Sequence, residues 1–201
     1  MNNSQSNLQA YFEKRAVSYH KNSNSWPWLL IRRREADKIV KLMGNVTGKE
    51  ILDLGCGAGY YTHVFLDKGA SHVVAVDQSP TMISQLTHPQ VTGIVDDIDQ
   101  IDLDRSFNFL ICAGVLEFVS NAENVIANAR RHASAGSRLV VLVPFKNLAG
   151  AMYRLYHRRH GFDISLFDHK KLETMFDGSG WKIVDRQFVQ PFSLLVALDA
   201  E

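Results

Sequence analysis

Apolar residues in this chain fall into short runs separated by polar or glycine-rich breaks, and the spacing within each run predicts an element. Runs of four to eight apolar residues bounded by turn signals are typical of strands that are buried on both faces. Such runs predict strands at 51–54, 72–77, 91–95, 107–113 and 137–143. Two more strands are predicted near the C-terminus, at 181–189 and 192–198.

Helices are predicted where apolar residues recur at helical spacing or where start signals occur. Ser79-Pro80 is a good start signal, because serine caps a helix and proline suits its first position, so we expect a helix to about Leu86. Gly136 is expected to close the helix before the fifth strand. The predicted helices are 8–20, 26–43, 60–67, 79–86, 121–133 and 168–176.

Glycine occupies every second position just after the first strand, at Gly55, Gly57 and Gly59. Glycine lacks a Cβ, so the chain can turn sharply there and a ligand can approach the backbone. A strand, a glycine turn and a helix start together indicate a nucleotide-binding corner. Asp77 ends the next strand, where a carboxylate can accept hydrogen bonds from ribose hydroxyls. We expect Asp77 to matter for the ligand and little for stability.

The loop departs from the dehydrogenase fingerprint, which needs glycine where Tyr60 stands, and an acid, Asp53, precedes it. The pattern D-x-G-x-G-x-G followed by a strand ending in Asp77 resembles the class I S-adenosylmethionine-dependent methyltransferases. The resemblance covers residues 8–198. It implies an α/β fold, a Rossmann-like doubly wound sheet of seven strands that is mostly parallel with an antiparallel C-terminal strand, plus N-terminal helices.

The resemblance also implies a cofactor, S-adenosyl-L-methionine, and the residues that bind it. Asp53 would hold the loop, and either Asp96 or Asp97 with Ile98 would contact adenine. Tyr19 ends a string similar to the F-x-x-x-A-x-x-Y lead-in of small-molecule methyltransferases, where it either folds over the cofactor or only packs in a helix. The implied cofactor-binding residues are Tyr19, Asp53, Gly55, Cys56, Gly57, Asp77, Gln78, Asp96, Asp97, Ile98 and Ala113.

Candidates for catalysis are few: Glu117, His157 and Tyr19. Glu117 is either a base or a charge at a helix N-terminus. Relatives that methylate quinone precursors bind a metal with E-x-x-E-H, but this chain has Gly114 and Phe118 at the first and last of those positions. We therefore expect no metal.

Residues 145–167 look inserted after the fifth strand, and we predict a lid over the acceptor site. Arg154 and Arg158 either clamp an anionic acceptor or are solvated surface charges. The predicted organisation is a single domain over 1–201, with an N-terminal helical lid (1–48), a cofactor-binding core (49–144), the lid insert (145–167) and a C-terminal helix and strand pair (168–201).

Composition agrees with one ordinary globular domain: 201 residues, 46% hydrophobic, formal net charge +1. The charge argues against a nucleic-acid surface. The chain has no apolar run long enough to span a membrane and no signal peptide, so a cytoplasmic enzyme is expected. We predict methyl transfer to a small-molecule O- or N-nucleophile in biosynthesis. The alternatives are a cofactor-binding protein without catalysis and a nucleotide-dependent oxidoreductase.

Overall fold

The computed structural model describes residues 28–201, and the predicted helix at 8–20 with Tyr19 lies outside them. The described elements alternate between helices and strands along most of the chain. In chain order they are α1 (Trp28–Met43), β1 (Glu50–Leu54), α2 (Tyr60–Asp67), β2 (His72–Asp77), α3 (Pro80–Ile83), β3 (Val91–Val95), β4 (Phe107–Ala113), α4 (Ala122–Arg131), β5 (Ala133–Pro144), α5 (Leu148–Arg159), α6 (His169–Phe176), β6 (Trp181–Val189) and β7 (Ser193–Ala200).

The strands form one seven-stranded sheet in the order β3-β2-β1-β4-β5-β7-β6. All neighbouring pairs from β3 to β5 are parallel, and β7 runs antiparallel to both β5 and β6. The predicted fold class is therefore confirmed. The strand order reverses between β1 and β4, where open α/β sheets bind ligands beyond their carboxyl ends.

Both faces of the sheet are buried, which explains the continuous apolar runs of its central strands. Leu52 and Leu54 of β1 face the core that α4 and α6 cover. Ile51 faces the other core, which α1 and α2 cover through residues such as Ile39 and Phe65. Strand β1 is therefore held from both faces of the sheet, which fixes the start of the loop that follows it.

Two predicted boundaries differ from the structure by three or more residues. The helix that begins after Ser79 ends at Ile83 rather than near Leu86, because the side chains of Ser84 and Gln85 both donate to the Thr81 carbonyl and replace the next helical turn. The fifth strand begins at Ala133, four residues earlier than predicted, and Ala133 pairs with Phe107 across a register shift. Gly136, with φ 73°, therefore lies inside an irregular strand and does not end a helix.

Candidate functional site

The glycine loop closes the carboxyl end of β1 against β2. The amides of Gly55 and Cys56 both donate to the Val76 carbonyl, at 2.8 and 3.0 Å. Gly55 has φ 74°, and a Cβ placed on it would lie 2.6 Å from Val115 Cγ2. Glycine is therefore required here both by backbone conformation and by space.

Asp77 ties the loop to the start of α3. Its Oδ2 accepts from the Gly57 amide and its Oδ1 from the Ser79 amide, each at 2.9 Å. These two bonds contradict the premise of the expectation that Asp77 contributes little to stability, because the carboxylate fixes two backbone segments. A carboxylate offers about four acceptor sites, so these two bonds alone do not use them all.

Asp53 supports the loop from behind. Its side chain is buried and accepts a 2.6 Å hydrogen bond from the Thr62 hydroxyl in α2. Burial raises the pKa of this carboxyl to about 7, against the lowering effect of the Thr62 bond. Asp53 does not line the cavity described next, so it acts on the loop by holding β1 and α2 together.

One cavity of about 320 Å³ lies beyond the carboxyl ends of β1, β2, β3 and β4. Its volume suits a ligand of drug or cofactor size. Nine of the predicted cofactor-binding residues line it: Gly55, Cys56, Gly57, Asp77, Gln78, Asp96, Asp97, Ile98 and Ala113. Further lining residues include Arg32, Tyr60, Tyr61, His63, Met82, Gly114, Val115 and Phe118.

Arg32 is a lining residue that the sequence reasoning missed. It is half-buried, and its guanidinium lies 5.2 Å from the centre of the Tyr60 ring, whereas Arg33 and Arg34 are exposed. The sequence favours solvated surface charges over a ligand clamp for Arg32, Arg33 and Arg34, and this interpretation is wrong for Arg32. Three consecutive helical residues cannot share one face, and this geometry was the available signal that one of them points inward.

The two acids after β3 occupy different environments within the same cavity wall. Asp96 is exposed and accepts from the Asp97 amide at 2.7 Å. Asp97 is half-buried, and desolvation raises the pKa of its carboxyl. The Ile98 side chain is buried, and its carbonyl accepts from the Asn128 amide group at 3.0 Å. Residues 97–98 are thus the more rigidly held part of this wall.

Glu117 is a buried acid, only 5% exposed. It lies in a turn closed by the Phe118 amide on the Val115 carbonyl, and α4 begins only at Ala122. The interpretation as a helix N-terminal charge is therefore wrong. No hydrogen bond from the described residues reaches its Oε2, and burial raises the pKa of the carboxyl to about 8. Its Oε1 is 4.0 Å from where a Cβ on Gly114, a lining residue, would lie.

The insert contains α5, and its inner face reaches the cavity wall. The neighbouring arginines predict a basic surface helix around His157, but its side chain is buried instead. Its ring packs edge-on against Phe118, 5.3 Å between centres, and against Tyr153 at 4.5 Å. No sequence pattern signals this burial, because a histidine amid arginines is usually solvated.

Neither arginine of the predicted anion clamp lines the cavity. Arg154 forms a two-pronged ion pair with Asp163 on the surface, and Arg158 is exposed. The side chains are solvated surface charges, so they give no support for an anionic acceptor. Within residues 28–201, no group of three or more His, Cys, Asp or Glu side chains is arranged to hold a metal ion.

Comparison with known proteins gives consistent results. Residues 28–186 match the family model described as "Methyltransferase domain". The chain is 29% identical over 137 residues to a malonyl-[acyl-carrier protein] O-methyltransferase of Bacillus cereus, covering 63% of this chain and 48% of that protein. It is 30% identical over 125 residues to a demethylmenaquinone methyltransferase of Tropheryma whipplei, covering 59% and 52%. The chain thus spans about half the length of these curated relatives.

Solved structures share the fold at low identity. The magnesium protoporphyrin IX methyltransferase of Synechocystis PCC 6803, with S-adenosylhomocysteine bound, superposes with a TM-score of 0.81 at 16% identity. The match covers 99% of this chain and 100% of that one. At this identity the likeness concerns the fold.

Proposed function

We propose that this chain, which belongs to the methyltransferase domain family, transfers the methyl group of S-adenosylmethionine to a small-molecule acceptor. One observation carries the proposal: a single cavity brings together the glycine loop, Asp77, the Asp97-Ile98 pair and Ala113. These residues come from the ends of four parallel strands, and only the fold places them together.

The lining residues fit the cofactor. A Cβ on Gly57 would meet nothing within 4 Å, so this backbone is open to a ligand, and the anchored Gly57 amide keeps Asp77 beside it. Asp77 would accept from the ribose hydroxyls. We favour Asp97 over Asp96 as the adenine contact, with the Ile98 amide as donor, because residues 97–98 are better buried. Gly55 and Ala113 would flank the methionine part.

Catalysis in this site is mainly alignment. Bound S-adenosylmethionine supplies a methyl group on a sulfonium, which is an excellent leaving group, so the protein must hold the acceptor in line with it. A hydroxyl or ammonium acceptor must also lose a proton. We propose that Glu117 takes it, because a carboxyl with a raised pKa is a stronger base than an exposed one.

The acceptor that best fits is a neutral or cationic O- or N-nucleophile in a biosynthetic reaction. Burial is the main cause of the raised Glu117 pKa, and the buried acid Glu35 raises it further. Once Glu117 has lost its proton as the base, its charge disfavours an anionic acceptor. The names of the curated relatives, which act on a carrier-bound malonyl group and on demethylmenaquinone, support a small-molecule acceptor.

We further propose that residues 145–167 form a lid over the acceptor side, within a single domain. The contact between His157 and Phe118 supports this, because it joins α5 to a residue of the cavity wall. Such a segment can exclude water from the reaction.

Two measurements test the proposal. Calorimetric titration with S-adenosylmethionine and, separately, with NAD should give saturable binding for the first alone. Preference for NAD would establish the oxidoreductase alternative. Formation of S-adenosylhomocysteine with fractions of a cell extract separates an enzyme from a binding protein without catalysis, which would give binding and no turnover.

Replacing Arg32 with alanine should weaken S-adenosylmethionine binding about 10-fold, because a charge-assisted hydrogen bond to the cofactor carboxylate is worth roughly 1.5–3 kcal/mol. Arg33→Ala is the matched control, since Arg33 is an exposed neighbour on the same helix and should bind normally. Calorimetry on both variants checks this. Equal affinities for the two would place Arg32 outside the binding interactions.

Methyl transfer should persist after treatment with a metal chelator. The reason is that Gly114 and Phe118 stand where metal-binding relatives have ligands, which leaves Glu117 as one ligand of three. The measurement is the rate of S-adenosylhomocysteine formation before and after chelation, with added magnesium as the control. Activity that disappears and returns with magnesium would contradict the prediction.

A further inference from the structure

Helix α5 exposes apolar side chains on its outer face, the reverse of an ordinary surface helix. They are Leu148 (81% exposed), Met152 (66%), Leu155 (49%) and Tyr156 (44%). Their spacing of four, seven and eight residues places them on one face, which we call the apolar stripe. The opposite face holds the buried Gly150 and His157.

The inner contacts of α5 fix this orientation. The Asn147 side chain caps the helix by accepting from the Gly150 amide at 2.7 Å. Tyr153 stacks on Phe192 with 4.6 Å between ring centres, and His157 packs on Phe118. The helix is therefore anchored by its inner face, and the apolar stripe points outward as part of the folded structure.

Cations adjoin the apolar stripe at the helix C-terminus. Arg158 and Arg159 are both exposed, whereas Arg154 is neutralised by Asp163. Arginines beside exposed leucine, methionine and tyrosine are typical of helices that lie in a membrane interface, and basic residues there are attracted by anionic headgroups.

The size of the apolar stripe argues against a second copy of the chain as its occupant. Twelve helical residues extend about 18 Å, and one face of such a helix falls well short of the roughly 800 Å² per partner of a stable interface. No helix within residues 28–201 is long and apolar enough to cross a membrane, so contact would be with its surface.

We propose that α5 docks this protein on the surface of anionic lipid bilayers through Leu148, Met152 and Leu155, with Arg158 and Arg159 binding headgroups. The inner face of α5 contacts Phe118, which lines the cavity, so one helix diameter of about 10–12 Å separates the lipid from the cavity wall. Docking on this helix therefore suits acceptors that partition into membranes. Surface docking itself does not depend on the proposed function.

Vesicle flotation of the full chain tests the proposal. The protein should float with phosphatidylcholine vesicles that contain phosphatidylglycerol, and much less with phosphatidylcholine alone. The paired change Met152→Glu and Leu155→Glu should reduce the partition coefficient of the protein onto these vesicles at least about 10-fold. Leu30→Glu is the control, because Leu30 is an apolar helical residue of similar exposure, 42%, on α1.

A second pair of variants isolates the charges. Arg158→Ala with Arg159→Ala should weaken binding to anionic vesicles about 10-fold. Arg33→Ala with Arg34→Ala removes the same charge from another exposed helix surface and should not. Leu148→Glu removes an apolar side chain from the apolar stripe with little cost to helix stability, because an acid in the first helical turn is favourable. Circular dichroism verifies that each variant folds.

Three results would overturn the proposal. The first is that the wild-type protein does not float with anionic vesicles. The second is that the folded Leu148→Glu and Met152/Leu155 variants float as the wild type does. The third is that light scattering without lipid shows a dimer that these variants dissociate. The last result would assign the apolar stripe to a second copy. Calorimetric affinity for S-adenosylmethionine is measured in parallel, so failure of docking and failure of the proposed function are distinguishable.

Discussion

Asp77→Ala should weaken S-adenosylmethionine binding by at least about 10-fold and also lower the melting temperature. The affinity loss follows from removing a charged acceptor of the ribose hydroxyls, worth roughly 1.5–3 kcal/mol per bond. The stability loss follows from the two backbone amides, those of Gly57 and Ser79, that the carboxylate accepts from in the protein without ligand. The loss of the two backbone bonds should also weaken binding, because the glycine loop must be held in place to present its amides to the cofactor.

Two further variants separate the contributions. Asp77→Asn keeps one oxygen acceptor and should fall between wild type and alanine in both affinity and melting temperature. Asp37→Ala, an exposed acid on α1, is the control and should change neither. Calorimetry and thermal unfolding are the measurements. If Asp77→Ala binds the cofactor as wild type does, the ribose role is excluded even if the protein melts earlier.

Local pattern predicted most of the framework because each element carries its own signals. The strand ending at Asp77 and the helix Tyr60–Asp67 have the predicted bounds, since apolar runs and the glycine turn define them within a few residues. The start of β5 at Ala133 was missed because its first residues pair with Phe107 only across an irregular register, which depends on tertiary contacts.

Side-chain environment was less predictable than the fold. Arg32 and His157 are polar residues in polar stretches, and their burial is set by packing against distant elements, α2 for Arg32 and the β4–α4 connection for His157. The same holds for Glu117, for which the sequence left a base and a charge at a helix N-terminus as alternatives. Only the fold decides that its carboxyl is buried.

Replacing Glu117 with glutamine should stabilise the protein, and the gain should grow with pH. The Glu117 carboxyl has a pKa raised by burial from an ordinary value of 4.5 to about 8. Below about pH 4 it is protonated in both the folded and the unfolded chain, so it costs nothing. Between these values the unfolded chain releases the proton and the folded one keeps it, so stability falls as pH rises. The full cost, on the order of 4 kcal/mol, is reached above pH 8.

The difference in unfolding free energy between Glu117→Gln and wild type is the quantity to measure, at pH 5 and at pH 8. Asp53, whose pKa is also raised, contributes equally to both proteins and cancels. Glu123→Gln, an exposed change on α4, should show no such growth. A difference that does not vary with pH would mean that Glu117 is ionised in the folded protein.

The same substitution should lower the rate of methyl transfer at least about 100-fold, because a positioned base contributes a rate factor of roughly 10²–10⁴. Cofactor affinity should stay within about twofold, because Glu117 is not part of the glycine loop that would bind the cofactor. The wild-type rate should rise with pH up to about 8, where the Glu117 carboxyl loses its proton. The variant should lack this rise. If the variant is stabilised at high pH yet transfers methyl groups at the wild-type rate, Glu117 is a buried acid with a raised pKa but not the base. That result is expected for an acceptor that needs no deprotonation.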